Sequence, residues 1–178
     1  MKSNPNNILH NSIEINNLFY GWLSLKKINI FNINFENVNF HNFLYECKGL
    51  EEMFFSCVII NNANMNYMFY QCKSLKKVIF SDIFINNIAN MSKMFCGCSS
   101  LKEVNFFNFN TNNIIYMNNM FEQCYSLEYI NFSGFNSNKI SNMRCIFCEC
   151  TSLKKIDFFN FNFNNVSDIV SCFMDVLH

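Results

Sequence analysis

The apolar positions of this chain fall into one pattern, repeated. Aligned on the leucine that follows each cysteine, Leu25, Leu50, Leu75, Leu101, Leu127 and Leu153 lie 25, 25, 26, 26 and 26 residues apart. Cys47, Cys72, Cys98, Cys124 and Cys150 stand three residues upstream and keep the same step. A fixed period in the twenties marks a solenoid, and leucine-rich repeats have this length. Within a unit, Leu127, Ile130 and Phe132 follow an L-x-x-I-x-F spacing that recurs in the other copies, as in Leu75, Val78 and Phe80. Its apolar residues end on a period of two, which predicts a short strand with one face buried.

Upstream the spacing changes. Ile114, Met117, Met120, Phe121 and Cys124 are separated by 3, 3, 1 and 3 residues, and equivalent stripes end at Cys98 and Cys150. That spacing predicts an amphipathic helix. Asn87, Asn113 and Lys139 precede the stripes, and the two asparagines suit a helix N-cap. Between strand and helix lies a polar loop with one apolar anchor: Ile33, Val58, Ile83, Phe109, Phe135 or Phe161. Each coil thus reads as strand, loop, helix, turn, and must stack on its neighbours to bury its apolar sides. The fold class expected is α/β, a solenoid of about six coils with a parallel sheet on one face and helices on the other.

Residues 1–11 read as a polar lead and 12–178 as a single solenoid. The array begins on a helical stripe (Ile15, Leu18, Phe19, Trp22), with Trp22 in the cysteine column and expected to cover the end of the stack. Ile169, Cys172 and Phe173 continue the stripe at the other end, with Val176 in the cysteine column. Six strands and seven helices result, and the final strand near Leu153–Phe158 keeps one unpaired edge, which is expected either to be covered by the last helix or to be met by a continuing chain.

Composition narrows function mainly by exclusion. Thirteen basic and thirteen acidic residues cancel, so no electrostatic footprint for nucleic acid or an anionic membrane is present. No apolar run reaches the length of a signal-peptide core or a bilayer span, and membrane insertion is not expected. Asparagine is so abundant that the glycosylation-type triplets at Asn90, Asn131 and Asn165 carry little weight.

The repeats themselves carry a resemblance. MSKMFCGCSSLKEVNFFNFNTNNI (Met91–Ile114) and MNNMFEQCYSLEYINFSGFNSNKI (Met117–Ile140) resemble the unit of BspA-like leucine-rich-repeat proteins, over about Phe19 to Phe173. The resemblance implies a right-handed β/α solenoid and a cell-surface protein engaged in adhesion or other protein contacts. It carries over no catalytic residue and no cofactor. An intracellular adaptor is the alternative, favoured by the many thiols and the missing export signal.

Three constellations invite chemistry. The five-cysteine ladder suits a disulfide framework less well than a column of small buried residues, because regular stacking need not give the Cα separation a bridge requires. Cys145, Cys148 and Cys150 have spacing worth a zinc test, but Cys150 points inward with the ladder and no histidine stands near. Cys96 and Cys148 are expected to face solvent, without a base to make either a nucleophile. A thiol- or zinc-dependent enzyme is therefore the least favoured reading, and no catalytic or metal residue is assigned.

The strand face is the remaining candidate. Lys27, Glu52, Lys77 and Glu103 alternate in sign down one column, as neighbours in register should. In the next column Phe54 and Ile79 join Phe31 and Phe107 in an exposed apolar patch, the usual mark of a partner site. Phe31, Glu52, Phe54, Lys77, Ile79, Glu103 and Phe107 form the expected partner-binding face, for a protein ligand the sequence does not name.

Overall fold

The computed structural model describes residues 15–36, 38–61, 63–86, 88–106, 111–133, 135–168 and 170–173. The chain winds as a stacked parallel β-solenoid. Its strands are β1 (Lys27–Phe31), β2 (Asn34–Glu36), β3 (Glu52–Ser56), β4 (Ile59–Asn61), β5 (Lys77–Ser81), β6 (Phe84–Asn86), β7 (Glu103–Asn105), β8 (Tyr129–Asn131) and β9 (Lys155–Asp157). β1, β3, β5 and β7 form one parallel sheet in that order, and β8 pairs with β9 in the same column. The expected six strands of the principal face are all present. Their alternation is as expected: in β3, Met53 and Phe55 are fully buried while Glu52, Phe54 and Ser56 are half-exposed.

The expected helical layer is absent, and the α/β assignment is corrected to all-β. Among the described residues there is no α-helix, and the only helical element is a single 3₁₀ turn at Val170–Phe173. The apolar stripe is buried as its spacing required, with Met117, Met120, Phe121 and Cys124 all fully buried. Its backbone, however, makes two β-turns in series. Met120 N–H donates to the Met117 carbonyl at 3.2 Å, and Cys124 N–H donates to Phe121 at 3.0 Å. The third residue of each turn, Asn119 and Gln123, has φ of 57° and 60°, as a type II turn demands. A residue with positive φ every four positions cannot lie in a right-handed helix. The same pairs recur as Asn17 and Gly21, Asn42 and Glu46, Tyr67 and Gln71, Lys93 and Gly97, and Cys145 and Glu149.

The amides between those turn bonds leave the coil. Met117, Asn119, Phe121 and Gln123 donate to the carbonyls of Asn142, Arg144, Ile146 and Cys148 in the next coil, all at 2.9 Å. Alternate amides thus close turns or stitch coils, and a helix would have consumed them all internally. Such left-handed conformations cost an L-residue about 1–2 kcal/mol each. An inter-coil hydrogen bond contributes about 0.5–1.5 kcal/mol net and buries no orphan donor.

The loop after each main strand is also more regular than expected. In the first three coils it contains β2, β4 and β6, which form a second parallel sheet. Asn32, Cys57 and Asp82, with φ of 55°, 52° and 51°, turn the chain from one sheet to the other. Of the expected anchors, Val58, Ile83, Phe135 and Phe161 are buried, Ile33 is exposed, and Phe109 lies outside the described residues. The change of period from 25 to 26 is one residue entering at Ala89. Its carbonyl accepts from both Ile115 N–H (2.9 Å) and Tyr116 N–H (3.1 Å), and the Ile115 carbonyl repeats this with Ser141 and Asn142. Once inserted, the extra residue is kept, because every later coil must match the one before it.

Two columns of phenylalanine fill the interior. Phe69, Phe95, Phe121 and Phe147 stack with centroids 5.1, 5.4 and 5.8 Å apart and near-parallel planes. Phe55, Phe80, Phe106, Phe132 and Phe158 form the second stack. Offset stacking at about the coil repeat lets one residue type recur without a packing conflict. Of the N-caps expected at Asn87 and Asn113, the first lies outside the described residues. At the second the chain makes a turn, with Ile114 N–H donating to Thr111. Trp22 packs edge-on against Phe19 yet stays 52% exposed, so it covers little of the end it was expected to close. Ile169 and Val176 lie outside the described residues.

Truncating Phe121 removes a ring that contacts both columns. Phe121→Ala is expected to cost about 3–5 kcal/mol in equilibrium urea unfolding, whereas exposed Lys102→Ala should cost less than about 0.5 kcal/mol. Similar losses from both would contradict this register.

Candidate interaction face

The sheet register brings most of the expected face together. Lys27, Glu52, Lys77 and Glu103 are consecutive partners across β1, β3, β5 and β7. Lys27 pairs with Glu52 at 2.9 Å and Lys77 with Glu103 at 3.7 Å. Phe54 and Ile79 are neighbours in the next outward column and both are half-buried. The Lys27 ammonium lies 4.6 Å from the centroid of the Phe54 ring, a cation–π contact that holds the ring's outer face. Phe31 projects at the end of β1, 63% exposed. Phe107 lies outside the described residues. Between Lys27, Asn29, Phe31, Phe54 and Ser56 is an open depression of about 310 Å³. The continuous apolar patch expected from sequence is therefore narrower, with Ser56 and Ser81 following Phe31 in its column.

A second ionic column escaped the sequence reading. Glu51 lies between Lys26 (3.1 Å) and Lys76 (2.7 Å), and Glu128 pairs with Lys154 (2.7 Å). The Lys76 and Lys26 hydrogen bonds hold the Glu51 carboxyl below its ordinary range, and Lys154 does the same for Glu128. Further on, Lys155 sits 5.5 Å over the Tyr129 ring, its register partner. The signal lies in the residue directly after each leucine, Lys26, Glu51, Lys76, Lys102, Glu128 and Lys154, a column of charges beside the one that begins at Lys27.

The cysteines have a structural explanation. None of the ten is joined in a disulfide. Each ladder thiol donates to a main-chain carbonyl of the preceding coil: Cys72 to Leu44 (3.0 Å), Cys98 to Phe69 (3.0 Å), Cys124 to Phe95 (3.2 Å) and Cys150 to Phe121 (2.9 Å). Those same carbonyls already accept the amide that closes their own turn. The column therefore needs a side chain small enough for the core that still offers a proton to a second lone pair. Burial raises the ladder thiols, to about 12 for Cys150 and about 11 for Cys47, and well above the ordinary value for Cys98 and Cys124.

Cys96 and Cys148, expected to face solvent, are both buried. Next to the Glu122 carboxylate, with the two atoms 3.3 Å apart, the Cys96 thiol is held protonated by burial and by the nearby negative charge. The turn geometry explains the miss, since it tilts this column toward the neighbouring coil where a helix would have pointed it outward. Cys145 is half-exposed and Cys150 fully buried, so the three do not converge. Among the described residues no group of three or more His, Cys, Asp or Glu is placed to hold a metal ion. No described helix is long and apolar enough to cross a membrane.

A family profile described as "Mycoplasma protein of unknown function, DUF285" matches residues 9–83 and 63–178. The chain belongs to this family. The two matched spans overlap at residues 63–83, as an uninterrupted repeat allows. Neither a curated protein nor a solved structure matches. The family description names no activity, so what a DUF285 repeat does has to be argued from the solenoid.

The thiol ladder implies a pH dependence. A group whose pKa is raised by folding contributes stability below its unfolded value and loses it as pH rises through the folded value. Stability is therefore expected to fall above pH 9.0, the ordinary thiol value, with loss continuing through about 11 and about 12 as Cys47 and Cys150 ionise. Urea midpoints measured from about pH 7 to pH 10 should show the decline, and Cys150→Ser, which keeps a donor that does not ionise, should reduce it.

Proposed function

We propose that this protein is a non-catalytic interaction scaffold that docks a protein partner on its strand-lined face, as a surface or adhesion-type repeat protein of the BspA-like kind. One observation carries the reading: the depression between Phe31 and Phe54, with Lys27 at its rim, on a sheet whose inward columns are uniform and whose outward columns vary. Aromatic side chains beside a cation are the usual anchors of protein interfaces. The thiols support the absence of catalysis, since each ladder sulfur is committed to a main-chain carbonyl and held protonated. Membership of the DUF285 family agrees with a repeat scaffold and leaves its partner open.

A second reading, an intracellular adaptor, draws on ten cysteines of which none is joined in a disulfide, which suits a reducing compartment. Protease treatment of intact source cells separates the two. Digestion without lysis supports the surface protein, and protection until lysis supports the adaptor.

The docking face is tested by a photo-crosslinking amino acid placed at Ile79 and, as control, at exposed Arg144 on the turn side. Cross-linked protein adducts in source cells are expected from position 79 and not from 144. Equal yields, or adducts from 144 alone, would remove the strand face from the account.

A further inference from the structure

The turn side of the solenoid carries an aromatic cluster that neither the core nor the docking face uses. Tyr20, Tyr45 and Tyr70 share one column, each as the second residue of a type II turn. The Tyr20 and Tyr45 rings stack with centroids 5.3 Å apart and planes 11° from parallel. Tyr45 and Tyr70 are closer still, at 4.7 Å and 24°. Tyr67, from the preceding turn of the same coil, leans on Tyr70 at 5.5 Å, and the Lys93 ammonium lies 5.7 Å from its ring centroid. The main chain fixes the ladder: Gly21 N–H donates to the Tyr45 carbonyl at 2.9 Å, and Glu46 N–H to the Tyr70 carbonyl at 2.8 Å. Adjacent tyrosines are thereby held one coil repeat apart, about 4.8 Å. Tyr45 and Tyr70 are both half-exposed, so a soluble oxidant reaches them. In the next coil the column passes to Cys96. The other three tyrosines are placed differently: Tyr125 O–H donates to the Glu149 carboxylate at 2.9 Å, Tyr129 lies beneath Lys155, and Tyr116 bridges Asn90 and Asn142 through its main chain.

We propose that Tyr45 and Tyr70 form an oxidative modification site, at which a peroxide-driven one-electron oxidant of the haem peroxidase class joins the two rings as a dityrosine bridge between adjacent coils. Partial burial raises both phenols above their ordinary range, so both start neutral. Each loses one electron and one proton, and the peroxide that takes up both pairs is reduced to two waters. The two phenoxyl radicals carry spin on the carbons beside the oxygen, and one carbon–carbon bond forms between a carbon of each ring. The hydrogens on those carbons then move to the oxygens and restore both phenols. The product is the starting protein less two hydrogen atoms. Radical coupling is fast only where the two rings already meet, and the stacked pair supplies that proximity without any search. The bridge fastens the second coil to the third on the side where no disulfide does so. The site shares no residue with the depression on the strand face, and failure of either proposal leaves the other standing.

The test treats the full chain, at low protein concentration, with a haem peroxidase and hydrogen peroxide, followed by mass spectrometry and peptide mapping. Exposure alone would direct oxidation to Tyr20, Tyr116, Tyr125 and Tyr129, which are 52%, 44%, 41% and 41% exposed, so the position of the bridge separates the two causes. The expected product is a monomer with dityrosine fluorescence, lighter by two hydrogen atoms, in which the Tyr45 and Tyr70 peptides are joined. Tyr70→Phe keeps the stacked ring but removes the oxidisable hydroxyl and should abolish that product, while Tyr125→Phe should leave its yield unchanged. Protein unfolded in urea before oxidation should lose it as well. Bridges mainly between separate chains, a bridge at a different pair, or a yield that survives Tyr70→Phe or unfolding would each overturn the proposal.

Discussion

The structure depends on one constraint: every coil must present its main chain to the next at a fixed register. On the strand side this is an ordinary parallel ladder. On the opposite side it is met by a backbone that is not a strand, in which alternate amides close β-turns while those between them reach the following coil. Both sides share one repeat distance, so the side chains stack like upon like. Phenylalanine columns, thiol-to-carbonyl bonds and alternating charges all follow from that translation. The same constraint explains why the residue inserted at Ala89 is never lost again.

The thiol ladder shows how the constraint selects residue types. A turn-closing carbonyl has one lone pair engaged by its own coil and a second facing the core. An apolar side chain in the next coil would leave that lone pair unmet, and the Cys124 thiol satisfies it for Phe95 with little added volume. Trp22 stands in the same column where no described coil precedes it. The cysteines are thus explained by packing and hydrogen bonding together, and neither reactivity nor metal binding is needed to account for them.

Much of this was legible in the sequence. The period, the strand positions, the buried stripe and the charge alternation through Lys27, Glu52, Lys77 and Glu103 all follow from spacing alone. The helical layer did not survive, for a physical reason. Two consecutive four-residue turns bring their first and last residues to one side, so Met117, Met120, Phe121 and Cys124 carry a spacing that a helix shares. The discriminating signal lay in the third residue of each turn, where Asn17, Gly21, Asn42, Gly97 and Asn119 tolerate a positive φ. It was blurred by Tyr67, Gln71 and Lys93, which adopt the same conformation because the stack imposes it. Of the candidate site, the columns could be read from the repeat, but the depression depends on how far Phe31 projects and how Lys27 settles on Phe54.

The central claim is that the turn side is hydrogen-bonded from coil to coil. Scalar coupling across hydrogen bonds, measured by nuclear magnetic resonance on isotope-labelled protein, tests it at single residues. The account requires the Phe121 amide to couple to the carbonyl carbon of Ile146 in the following coil. Coupling to the carbonyl of Met117, four residues back as in an α-helix, would contradict it.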